Sequence, residues 1–127
     1  MPKRTSIYVE GFSHKNPIPA ACRVGNMVYS GSIQGTDPAT GRYGATPEEQ
    51  SALMFAHVKR IVAAAGGTPE HIVKMTVWMK DRANRAPINA EWLKLFPDAE
   101  SRPARHAIQS ALDGEKFFEC DFIAVLD

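Results

Sequence analysis

An arginine and two carboxylates near the carboxy end are the groups best suited to chemistry in this chain. They lie in two runs, Arg102-Pro103-Ala104-Arg105-His106-Ala107-Ile108-Gln109 and Phe117-Phe118-Glu119-Cys120-Asp121-Phe122-Ile123-Ala124-Val125. Successive side chains on a strand point to opposite faces, so Arg105, Ala107 and Gln109 share one face and Ala104, His106 and Ile108 the other. In the terminal run Glu119 and Asp121 alternate with Phe118, Cys120, Phe122 and Ala124, so a core-facing aromatic side turns the carboxylates outward. Held close, the two strands would put a guanidinium and one or two carboxylates on a common face. Such a pairing can grip a small carboxylic acid and orient a water. A cross-strand ion pair from Arg105 to Glu119 or Asp121, with no ligand, accounts for the same pattern equally well.

The frame that must position these groups is small. A chain of 127 residues with 44% hydrophobic content suits one compact domain, 1–127, with one core. Its net charge of +1, without a long block of like charges, argues against a nucleic-acid partner. No apolar stretch reaches membrane-spanning length, and Met1-Pro2-Lys3-Arg4-Thr5 leads into no apolar signal core, so a cytoplasmic protein without membrane contact is expected. Cys22 and Cys120 suit two reduced, buried thiols better than a disulfide. His14, His57, His71 and His106 lie far apart with no helical pair or Cys-x-x-Cys, so no metal is expected.

Thr5 to Glu10 suits a short first strand. Gly11 to Pro19 is irregular, because Pro17 and Pro19 remove donors and restrict their predecessors. Ala20 to Val24 and Met27 to Ile33 form a hairpin around Gly25-Asn26. Gly31, between Ser30 and Ser32, marks a bulge or a close approach to the backbone. Gly35 to Gly41 is a turn-rich, exposed loop. A helix starts at Thr46-Pro47-Glu48-Glu49, where Thr46 caps, Pro47 takes the first helical position and Glu49 reaches back to close a capping box. Met54, Val58, Ile61 and Ala65 form its apolar stripe, widened by Leu53 and Val62, with His57, Lys59 and Arg60 off it. Gly66-Gly67 stops the helix.

His71 to Lys80 is a strand with Val73, Met75, Val77 and Met79 on its apolar face. Ile72, Lys74, Thr76, Trp78 and Lys80 lie on the other, too mixed for open solvent. A second helix, from about Arg82 or Pro87 to Phe96, turns Ile88, Trp92 and Leu95 inward. Asn89 is simply a solvated helix residue on this pattern. The order is α+β, a mixed sheet with two helices on one face. The uncovered, half-apolar face suits closure by further copies of the chain.

Several of these runs resemble the Rid family of enamine/imine deaminases, also known as YjgF-type or L-PSP proteins. They are Val24-Gly25-Asn26-Met27-Val28-Tyr29-Ser30-Gly31, Asp37-Pro38-Ala39-Thr40-Gly41, Ala64-Ala65-Gly66-Gly67, Ile72-Val73-Lys74-Met75-Thr76-Val77, Ile88-Asn89-Ala90-Glu91-Trp92 and Arg102-Pro103-Ala104-Arg105. Together they span most of the chain in order. The resemblance implies a chorismate-mutase-like domain assembled as a homotrimer with clefts between subunits. It also implies hydrolysis of 2-aminoacrylate-type enamines and imines to 2-keto acids and ammonia, without a cofactor.

Carried over by resemblance, Arg105 holds the substrate carboxylate, Glu119 guides the attacking water, and Asn89, Ser30, Gly31, Ser32 and Ile18 line the cleft. Asp121 falls at a second acidic position outside the first contacts. Ile18 stands where the best-known deaminases carry tyrosine, and His106-Ala107 follows Arg105 where some carry serine and cysteine. His106 could carry a proton, but strand parity puts it opposite Arg105, which favours a packing or interface residue. These departures leave open a deaminase of a larger unsaturated, aminomuconate-like amino acid, or a non-catalytic 2-keto-acid sensor. An endoribonuclease, an activity ascribed to some relatives, fits poorly with the near-neutral charge.

Overall fold

The computed structural model describes residues 3–12 and 15–127. Met1, Pro2, Ser13 and His14, the last one of the histidines weighed above, lie outside the described residues. Among the described residues seven strands form one mixed sheet: β1 (Thr5–Ile7), β2 (Ala21–Val24), β3 (Met27–Ser30), β4 (Ile33–Gln34), β5 (Ile72–Met79), β6 (Ala104–Gln109) and β7 (Phe118–Val125). Their order is β1-β2-β3-β7-β5-β6, with β4 also on β7. Every pairing is antiparallel except β5 with β6. Helices α1 (Pro47–Ala64) and α2 (Ala86–Leu95) complete the α+β architecture.

The expected α1 signals are present in modified form. Thr46 Oγ1 accepts from the Glu49 amide at 3.1 Å, while Glu49 Oε2 accepts from Ala45 N–H at 2.9 Å, one residue earlier than a capping box requires. Gly66, with φ at 97°, provides the left-handed stop. The stripe of Met54, Val58, Ile61, Val62 and Ala65 packs against Met75, Val77, Phe118, Cys120 and Phe122. Full burial of each large member contributes about 1.5–3 kcal/mol.

Four local expectations are corrected. The first strand stops at Ile7, because Val9 turns back to bridge Phe12. The second hairpin strand breaks at Gly31-Ser32 into β3 and β4, consistent with the bulge reading of Gly31. Across that break Ser30 Oγ accepts from Phe122 N–H at 2.8 Å, replacing the lost ladder bond. On β5 a register shift between Ile72 and Lys74 buries Ile72 and leaves Val73 47% exposed, reversing the face expected for each. His57 is buried, not off the α1 stripe, because Phe12 and the Thr36 carbonyl close over it.

Both helices lie on the sheet face that carries Met75, Val77, Phe118 and Phe122, leaving Lys74, Thr76, Trp78, Glu119 and Asp121 on the other. The chain between β4 and α1 passes tightly under the helix. A Cβ on Gly35 would stand 2.1 Å from the Gln50 carbonyl oxygen, so only glycine fits beside Gln34. That approach holds Gln34 opposite Glu119 on β7.

Candidate functional site: two half-sites on opposite sheet faces

Arg105 belongs to the helix side of the sheet. β6 runs beside β5, where Arg105 pairs with Met75, and Met75 pairs in turn with Phe122 of β7. Its guanidinium meets α2, whose Asn89 and Trp92 stand three residues apart and therefore on one helix face. Nη2 donates to Asn89 Oδ1 at 2.8 Å, and Cζ lies 4.8 Å from the Trp92 ring centroid. Nη1 is buried with no hydrogen-bond partner among the described residues. Burial lowers the Arg105 pKa and the nearby Arg85 charge lowers it further, yet a guanidinium remains charged in a protein. An anion bound beside the guanidinium would offset both effects.

Glu119 lies on the opposite face, in a row with Trp78 and Ile108, while Asp121 lies in a row with Thr76 and His106. The expected common face for Arg105 and the carboxylates is therefore wrong within one chain. The cause is the intervening strand: β5 carries parity across the sheet so that Arg105 aligns with Phe122, not with its acidic neighbours. The cross-strand ion pair falls for the same reason. His106 is opposite Arg105, as parity predicts, and exposed.

Glu119 finds its donors within its own neighbourhood. Oε1 accepts from Lys116 Nζ at 3.3 Å and from Gln34 Nε2 at 3.4 Å, and Gln34 Nε2 also donates to Ser32 Oγ at 2.5 Å. Asp121 has its pKa raised, first by burial and then by the Glu119 charge, against the opposing influence of the Thr76 backbone bond and Lys74.

The remaining cleft candidates divide by whether their polar groups are already used. Ser30 Oγ accepts from Phe122 N–H and donates to the Gly31 carbonyl at 2.8 Å, and Gly31 N–H donates to Ala20 O at 2.8 Å. Both are committed to the fold. Ser32 is exposed and lines a small cavity of about 120 Å³ with the half-exposed Ile18. A larger cleft of about 650 Å³ runs from Gln34 and Lys116 toward Lys15, Thr36, Thr40 and Tyr43. Ile18, Ser32, Gln34, Lys116 and Glu119 thus group together, and Arg105, Asn89 and Trp92 form a separate group.

Sequence reasoning missed Trp92 as a guanidinium platform, and missed Gln34 and Lys116 altogether. Trp92 carried a signal, since it stands three residues after Asn89. Lys116 stands three before Glu119, but on a turn whose shape the sequence does not announce. Gln34 becomes visible only once β4 is known to pair with β7.

Residues 7–126 match the family model described as Endoribonuclease L-PSP. A RutC family protein of Pyrococcus abyssi is 32% identical over 120 residues, covering 89% of this chain and 93% of its own length. Escherichia coli TdcF, which bears the name of a reactive intermediate deaminase, is 34% identical over 104 residues, 80% of this chain and 81% of TdcF. The crystal structure of TdcF with bound serine superimposes with a TM-score of 0.88 at 29% identity, covering 97% of this chain and 99% of that one. With nearly its whole length matched, the chain belongs to the L-PSP endoribonuclease family, the Rid group that includes proteins named reactive intermediate deaminases.

Proposed function

We propose that the protein hydrolyses small carboxylate-bearing enamines and imines of the 2-aminoacrylate type to 2-keto acids and ammonia, as a homotrimer with clefts between copies. The observation that carries this reading is Arg105: one guanidinium nitrogen is fixed by Asn89, the plane is backed by Trp92, and the residue is only partly buried. That is a guanidinium held in place for a planar carboxylate. The serine held by TdcF carries a carboxylate of the same kind.

The reaction asks little of the protein. Protonation of the enamine at its terminal carbon gives an iminium, whose carbon is already electrophilic. Water adds there, a proton passes to nitrogen, and collapse of the carbinolamine expels ammonia and leaves the 2-keto acid. Arg105 binds and orients the carboxylate, and Glu119 holds the water and accepts its proton. Because the two groups occupy opposite faces of one chain, Glu119 reaches the substrate on Arg105 from a neighbouring copy.

The test is ammonia and 2-keto-acid release from 2-aminoacrylate generated in solution, with Arg105→Ala as the control. Acceleration lost in the variant, by about 10²- to 10³-fold in kcat/KM as befits a severed charge pair, supports the reading. No acceleration by the unaltered protein refutes it. A larger unsaturated amino acid is the second reading, favoured by the cleft of about 650 Å³ beside Lys116, a size suited to a ligand well beyond three carbons. The ratio of kcat/KM for long and short substrates separates the two.

A further inference from the structure

We infer that Lys116 and Gln34 are positioning residues, a clamp that fixes Glu119 by one oxygen and leaves the other free to hold water. The inference rests on the proposed role of Glu119 in hydrolysis and adds what makes that carboxylate usable.

A free glutamate at the mouth of a cleft samples several rotamers, and each unproductive one removes the base from its water. Here Oε1 accepts from both the Lys116 ammonium and the Gln34 amide, while Oε2 makes no hydrogen bond among the described residues. The pair is sheltered: the side chains of Lys116 and Glu119 are only 17% and 21% exposed. Screening is weaker there than between surface charges, so the contact is better able to hold a geometry. The Lys116 cation also offsets the repulsion between Glu119 and Asp121, two residues apart on the same strand face.

The two clamp residues are set by the fold, and the supports of both run to Gln50 of α1. Gln34 is set by the β4–β7 register and by the close approach of Gly35 to α1. Lys116 sits in the turn before β7, where its own N–H donates to Asp113 O at 3.2 Å. That turn is gripped by Gln50 of α1, 1% exposed, whose Nε2 donates to Glu115 O at 2.7 Å and whose Oε1 accepts from Phe117 N–H at 2.8 Å. One buried amide thus holds the backbone on both sides of Lys116. Both clamp residues also line the cleft of about 650 Å³, so the clamp stands where that cleft meets Glu119.

The experiment compares Lys116→Met, Lys116→Arg, Gln34→Leu and Glu119→Gln in the ammonia-release assay. Lys116→Met keeps the side-chain stem and is expected to lower kcat by about 10- to 100-fold with KM nearly unchanged, as for a misplaced catalytic group. Lys116→Arg restores most of the loss, and Gln34→Leu costs less. Combined with Glu119→Gln, Lys116→Met adds no further loss, because both act through one carboxylate. Wild-type kcat in Lys116→Met, with Glu119→Gln inactive, overturns the clamp and leaves the deaminase reading standing. Wild-type kcat in Glu119→Gln overturns the role of Glu119 and the clamp together, while Arg105→Ala still reports on carboxylate binding. The Gln34 side-chain amide signals in a proton–nitrogen correlation spectrum give a readout independent of turnover. They move in both Lys116→Met and Glu119→Gln, and signals unmoved by either overturn the clamp.

Discussion

Arg105 and Glu119 are both charged groups on strands of one sheet, yet the fold treats them in opposite ways. Arg105 is partly buried against α2, with one nitrogen held and another left without a partner among the described residues. Glu119 is supplied with a cation by Lys116, in the turn before β7, and with an amide by Gln34 on β4. An unsatisfied buried donor costs stability, about 1–3 kcal/mol. A carboxylate with its own donors carries no such deficit. On the proposed reading, the contrast separates the group that binds the ligand from the one that acts on it.

The sharpest way to break this comparison is subunit complementation. If the two halves meet only between copies, Arg105→Ala and Glu119→Gln are each nearly inactive alone. Unfolded together and refolded as mixed oligomers, they regain about a quarter of wild-type activity, since each cleft draws its arginine and its glutamate independently from two copies. No recovery, with mixed oligomers demonstrated by mass spectrometry, would place both groups of each site in one chain.

The next effect is on stability and distinguishes how the halves are supported. Gln50 donates to Gly44 O and Glu115 O and accepts from Phe117 N–H, all at a buried position. Gln50→Ala strands those backbone groups and opens a cavity, which is expected to cost about 2–4 kcal/mol by urea unfolding. Asn89→Ala, at an exposed helix position, removes the hydrogen bond to Arg105 and leaves the urea midpoint almost unchanged. Equal destabilisation by the two would erase the distinction between a braced half and a surface half.

The same contrast explains what could be read without coordinates. Alternation in the terminal run placed Phe118, Cys120 and Phe122 inward and Glu119 and Asp121 outward, because a strand buried on one face leaves that record in every second residue. The α1 start and stop were legible because capping is local chemistry. The common face for Arg105 and Glu119 was not, since strand adjacency depends on topology and β5 intervenes. Ile72 and Val73 exchanged faces at a bulge, which alternation alone does not reveal. His57 was misplaced because the residues that bury it, Phe12 and Thr36, come from a distant loop. The resemblance brought Asn89 to Arg105's neighbourhood where helix propensity gave no reason to look.

His57 offers the smallest expected effect, and it probes the scaffold next to the Glu119 half. Its Nε2 donates to the Thr36 carbonyl at 2.7 Å, and its Nδ1 is buried without a partner among the described residues. Burial lowers its pKa below the ordinary value of 6.5, the Thr36 bond opposes that, and the Arg60 charge adds to it. In the unfolded chain the imidazole takes its proton near pH 6.5, before the folded protein does, so the unfolded state binds more protons as pH falls. Stability is therefore full above pH 6.5 and declines below it until the folded-state pKa is passed. Between pH 7.5 and 5.5 the urea midpoint of the unaltered protein falls, and that of His57→Gln falls less, because glutamine keeps an amide donor without a titrating ring. Asp121 opposes this trend at lower pH, since its raised pKa lets the folded state take up that proton first. A wild-type midpoint that falls no more than that of His57→Gln would mean that the His57 pocket admits water or rearranges, and that the scaffold behind Gln34 and Lys116 is less rigid than the proposed role of Glu119 requires.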